Sequence, residues 1–147
     1  MGGHPWWYVV PYQRDIGKAM NELREREFRA GRYNPVVRFP HFPVTERSDA
    51  PGARHRTIDE AMEAADADGS RSILDMDAIG EKPAPAAMCP LDDETLLRLY
   101  GTTQPTREAV EPELEFLEDV ERGEGYYVVL YRDGKPSEIL FAGYSFD

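Results

Sequence analysis

Hydrophobic and polar positions follow two different periods along this chain of 147 residues. Trp6-Trp7-Tyr8-Val9-Val10 is aromatic and β-branched and runs into Pro11, which predicts a first strand leaving its sheet at the proline. Trp6, Tyr8, Val10 and Tyr12 share one face of that strand and Trp7 and Val9 the other. Both faces then carry a large ring, so the strand is expected to be covered on both sides. The period then lengthens. Ile16, Ala19, Met20 and Leu23 recur at helical spacing behind Asp15, a good N-cap, and Gly31 supplies the stop. A helix is predicted over 15–30, with Glu22/Arg26 and Glu25/Arg29 as i,i+4 pairs on its exposed side.

Further along, the signals alternate between clear and ambiguous. Val36-Val37-Arg38-Phe39 is short and bracketed by Pro35 and Pro40, which predicts an edge strand or an extended segment. Residues 40–56 hold three prolines and a glycine and predict a loop, longer than the ~12–15 residues above which loops usually carry function or are disordered. Thr57 and Glu60 form a capping box ahead of the stripe Ile58, Ala61, Met62 and Ala65, and Gly69 ends that helix. Ser72-Ile73-Leu74-Asp75-Met76 reads as a strand, and the Pro- and Ala-rich stretch 80–90 as a loop. Asp92 and Asp93 open a helix through Leu96, Leu97 and Tyr100, stopped by Gly101. A last helix begins at Thr106, with Val110, Leu114, Leu117 and Val120 facing inward. Pro112 costs ~3 kcal/mol in a helix interior and so moves the expected start toward Glu111.

The strongest signal is C-terminal. Tyr126–Tyr131 and Glu138–Tyr144 are apolar runs flanking Asp133-Gly134, a hairpin turn pair. The expected order is β-α-β-α-β-α-α-β-β. It predicts an α+β fold, a mixed sheet of four to five strands with helices packed on it and a C-terminal β-hairpin, with residues 1–147 as a single domain.

Charge divides the chain in two. Residues 1–56 hold ten Lys/Arg and six Asp/Glu, a balance of +4; residues 57–147 hold seven and twenty-two, a balance of −15, giving −11 in total. The acidic part repels phosphates, so nucleic acid is not the expected partner. The basic part leaves room for a local anion site. Arginine outnumbers lysine fourteen to three, and a high-GC bacterial source is expected from that. One cysteine, Cys89, allows no internal disulfide, which fits a reducing, cytoplasmic setting. Beside Cys89 stand no basic residue and no helix start to activate the thiol, so a small buried residue is expected rather than a nucleophile. The chain has no apolar run of the ~20 residues that span a bilayer and no signal-peptide pattern. Met1-Gly2-Gly3 lacks the Ser or Thr that myristoylation wants at position 6. No membrane association is expected.

The candidate chemistry is sparse. Asp66 and Asp68 before Gly69 imitate a calcium loop, but the first ligand position is Ala64 and the twelfth is Asp75 rather than Glu. Asp75 and Asp77 would share a face on a strand, with no third ligand nearby. No metal and no cofactor are therefore expected. Gly-rich phosphate loops, Gly-x-Ser-x-Gly, His-Glu-x-x-His and paired Cys-x-x-Cys do not occur. Two function classes remain. In the favoured one the protein is a non-catalytic acidic binding module for a basic protein, in the manner of an immunity or antitoxin-type inhibitor. Its contacts would be Trp6, Tyr12, Glu111, Glu115 and Glu118, drawn from the aromatic strand and the acidic stretch 108–124. In the other it is a small enzyme or ligand-binding domain, with Arg38, His41, Arg54 and His55 of the 38–56 loop forming an anion site.

Overall fold

The computed structural model describes residues 3–146, the side chain of Glu115 excepted. In chain order the elements are β1 (Pro5–Pro11), α1 (Ile16–Ala30), α2 (Ile58–Ala65), β2 (Ala78–Ile79), β3 (Ala87–Pro90), α3 (Asp93–Tyr100), α4 (Arg107–Val110), β4 (Gly125–Arg132) and β5 (Lys135–Tyr144). Short 3-10 turns lie at Asp66–Asp68, Ile73–Asp75 and Glu115–Asp119. The five strands form one mixed sheet in the order β1-β5-β4-β3-β2. β5 lies between β1 and β4 and is antiparallel to both, while β4, β3 and β2 run parallel. The fold is α+β, with the expected hairpin at its C-terminal end. Asp133 and Gly134 turn it with φ of 53° and 76°, the pair of left-handed residues that a tight hairpin matching strand twist requires.

Helices cover both faces of the sheet. On one, Trp6, Tyr8, Val10, Ile139 and Phe141 pack with Met20, Leu23, Ala61 and the 3-10 turn at Ile73–Asp75. On the other, Leu140, Ala142, Val128 and Leu130 pack with Leu96, Val110, Phe116 and Val120. Trp6 is 0% exposed and lies across two glycines. A Cβ at Gly143 would stand 2.6 Å from its Cζ2, so only glycine leaves room for the indole there, and one at Gly125 would press on its Cη2 at 3.2 Å. No helix among the described residues is long and apolar enough to cross a membrane.

Helix limits follow the capping chemistry. Asp15 accepts from the Lys18 amide at 3.0 Å, Thr57 from Glu60 at 3.1 Å and Asp92 from Thr95 at 2.7 Å. Gly31 and Gly101 close α1 and α3 in left-handed conformation.

Four expectations are corrected. Val36–Phe39 is a turn, because Val37 N–H closes on Tyr33 O at 2.9 Å and Arg38 O accepts from Arg71 at 2.9 Å instead of a strand. Ser72–Met76 is a buried 3-10 turn and not a strand: Ser72 Oγ accepts from Leu74 N–H at 3.2 Å, a local bond that competes with a ladder. Within 80–90, Ala87–Pro90 enters the sheet as β3. The stretch 108–124 is no continuous helix: α4 stops at Val110, Pro112 has no N–H to continue it, and a 3-10 turn follows. The order is thus β-α-α-β-β-α-α-β-β.

Candidate anion-binding cleft

Glu27 continues the apolar stripe of α1, four residues beyond Leu23, and is 0% exposed. A carboxylate at a core position needs cations, since burying it unpaired is very costly. Arg32 supplies a two-pronged contact, Nε to Oε1 at 2.8 Å and Nη2 to Oε2 at 2.7 Å, and Arg26 adds Nε to Oε2 at 2.9 Å. The hydrogen bonds to Glu27 hold the Arg32 guanidinium charged, its pKa raised above the ordinary value. Arg107, the first residue of α4, is fixed in the same manner. Its Nε donates to Glu111 and its Nη1 to Glu138, both at 2.8 Å, and the Glu111 bond leads in raising its pKa. Among the described residues, both Nη groups of Arg26, Nη1 of Arg32 and Nη2 of Arg107 have no protein partner.

These three arginines border one cavity of about 490 Å³, together with Tyr8, Val9 and Glu46. Tyr8 and Val9 are strand neighbours whose side chains enter opposite core clusters, so the cavity lies over the outer edge of β1. A second cavity of about 270 Å³ shares Arg32 and adds His41, Arg47, Ser48 and Asp49. The loop that follows α1 shapes both. Its Phe42 ring centroid is 5.8 Å from Trp7 and 5.1 Å from Tyr8, rings on the two faces of β1, so Phe42 sits across the strand edge. The far end of the loop is tied down separately. Gly52 N–H donates to Ala30 O at 2.9 Å, and the Tyr33 hydroxyl meets His55 Nδ1 at 2.8 Å and accepts from Arg54 N–H at 3.4 Å.

Of the loop residues singled out by sequence, His41 alone borders this cleft. Arg38 is exposed, and Arg54 and His55 anchor the loop on Tyr33. Trp6 is core and offers no surface, whereas Tyr12 is exposed just past β1. Glu111 is engaged by Arg107, Glu118 is exposed, and the side chain of Glu115 lies outside the described residues. Asp66 and Asp68 are exposed; Asp75 is buried and accepts from Ser70 N–H at 2.7 Å and Ser70 Oγ at 2.8 Å, apart from exposed Asp77. Among the described residues no three His, Cys, Asp or Glu side chains gather as a metal ion would require. The Cys89 thiol is buried and pushed up to about 11, by burial first and by Glu124 and Asp92 after it.

Sequence reasoning passed over Arg26, Arg32, Arg107 and Glu27. The helical period carried the one usable signal. Glu27 falls on the same stripe as Met20 and Leu23, and a core-facing carboxylate implies fixed cations beside it. Comparison with family models, with curated proteins and with solved structures finds no match to this chain.

Proposed function

We propose that the protein is a ligand-binding domain that holds a carboxylate-bearing molecule in the cleft over the outer edge of β1. The observation that supports this reading is the set of three guanidiniums bordering one cavity, each fixed by a carboxylate yet keeping unpartnered N–H groups. Fixing an arginine in advance reduces the ordering cost of binding, and its fork matches a carboxylate. The cleft draws on the part of the chain with a balance of +4, with Arg107 its one contribution from the acidic part. Succinate is the probe. Calorimetry should show saturable binding to the wild type and a loss of roughly tenfold or more for Arg26→Met and for Arg107→Met, as for hydrogen bonds to charged groups. Arg32 keeps both bonds to Glu27 in the Arg26 variant, so that fold should persist. Succinate binding that is absent from the wild type, or unchanged when Arg26→Met and Arg107→Met are combined, overturns the reading.

A second reading, association with a basic protein, is favoured by a different observation. Glu108, Glu113, Glu118, Asp119 and Glu121 are exposed, while Val110, Phe116, Leu117 and Val120 among them are anchored in the core. Charges at an interface rim act on the rate of encounter and are screened by salt. Replacing Glu108, Glu113 and Glu118 by Gln should leave the fold intact and weaken that association. Complementing a deletion of the gene separates the two readings. Loss of function with the Gln variant alone supports the acidic face; loss with the arginine variants alone rejects it.

A further inference from the structure

β1 meets β5 through its even-numbered residues. Tyr12 N–H donates to Ser137 O at 3.0 Å and Ser145 N–H to His4 O at 3.0 Å, and the register Trp6↔Gly143, Tyr8↔Phe141, Val10↔Ile139 carries the same parity between them. The main-chain groups of odd-numbered residues therefore point out of the sheet. Pro5 and Pro11 have that parity and no N–H, which leaves Trp7 and Val9 as the outward donors of the strand. Phe42 lies across the edge at Trp7. Val9 borders the larger cavity, and among the described residues its N–H and C=O have no hydrogen-bond partner.

From this edge we infer that the ligand is an extended peptide segment with acidic residues at adjacent positions, added to β1 at Val9. The inference rests on the reading of the cleft as a carboxylate site. One residue of the segment exchanges both main-chain hydrogen bonds with Val9, the mode by which a strand is added to a sheet edge. Side chains of an added strand alternate between the two faces. Each face presents arginine: Arg26 and Arg32 stand on the Tyr8 and α1 side, and Arg107 on the Val9 and α4 side. Two consecutive acidic residues then meet guanidinium on both sides at once. Phe42 and Pro11 bound the open stretch, so the paired segment is short.

The experiment uses a capped Thr-Glu-Asp-Thr peptide alongside succinate, on the wild type and on Val9→Pro. Proline is already accommodated at this parity at positions 5 and 11, so the substitution deletes the outward N–H and leaves the β5 ladder intact. The expected result is peptide binding to the wild type that drops roughly tenfold in Val9→Pro, with succinate bound by the wild type. Peptide binding unchanged in Val9→Pro, with succinate bound by the wild type, overturns the peptide inference and leaves the carboxylate site standing. Failure of the wild type to bind either probe removes both. Should Val9→Pro lose its thermal transition, the same question goes to the wild type with the two central peptide amides N-methylated. Retained affinity there counts against the inference, and its loss supports it.

Discussion

A chain ending at Gly134 is expected to show no cooperative thermal transition. Truncation there deletes β5, which lies between β1 and β4 and supplies the partners of both. Without it β1 has no neighbour and the remaining strands are a parallel three-strand fragment. Ile139, Leu140 and Phe141 are each 0% exposed, Ile139 and Phe141 in one core cluster and Leu140 in the other. Burying each contributes about 1.5–3 kcal/mol. Together they approach a typical stability of about 5–15 kcal/mol before the lost ladder is considered. Circular dichroism on heating is the check, and a truncated chain melting with the midpoint and sharpness of the full one would refute it.

Glu27→Ala is expected to destabilise the full chain by about 3–5 kcal/mol, the range for removing one member of a buried ion pair. The cause is the charge left behind rather than the bond removed. Arg32 is only 15% exposed and loses both of its carboxylate bonds, and Arg26 loses its one. For a protein of this size the fall in melting temperature should be about 10 °C or more. Replacing the pair together, Glu27→Met with Arg32→Met, should recover much of that loss, because apolar groups of similar volume have no unpaired charge to bury. Urea denaturation of the single and double variants measures both. Equal midpoints for Glu27→Ala and wild type would mean that Arg26 and Arg32 are held by something other than Glu27.

Where local chemistry and tertiary position agree, the sequence was legible. α1 and α3 have apolar stripes, side-chain caps and a terminal glycine that all point one way, and the Asp133-Gly134 turn sets its own hairpin. The misread elements are those whose form is settled by distant partners. Ile73 and Leu74 are apolar enough for a strand, but Ser70, Ser72 and Asp75 bond within their own turn, and Ile73 N–H donates to the Tyr8 hydroxyl 65 residues away at 3.3 Å. Ala87–Pro90 has no alternating pattern and becomes a strand because it fills the place between β2 and β4. Of the anion-site residues named from sequence, only His41 lines either cavity, and it lines the smaller one. Arg26 looked like half of an exposed pair with Glu22, yet its carboxylate is the adjacent Glu27. Arg107 is separated from the other two by some eighty positions of chain and joins them only through the sheet edge.

The prolines at the two ends of β1 also bear on how copies of this chain behave toward one another. An open edge strand is a template on which a second molecule can grow a continuous sheet, the first step toward fibrils. Here such a molecule would find two main-chain donors over seven residues, one of them behind Phe42. That is too few to propagate a ladder from chain to chain. The feature that limits what the edge can hold to a short segment is therefore also expected to keep concentrated solutions of the protein from polymerising through it.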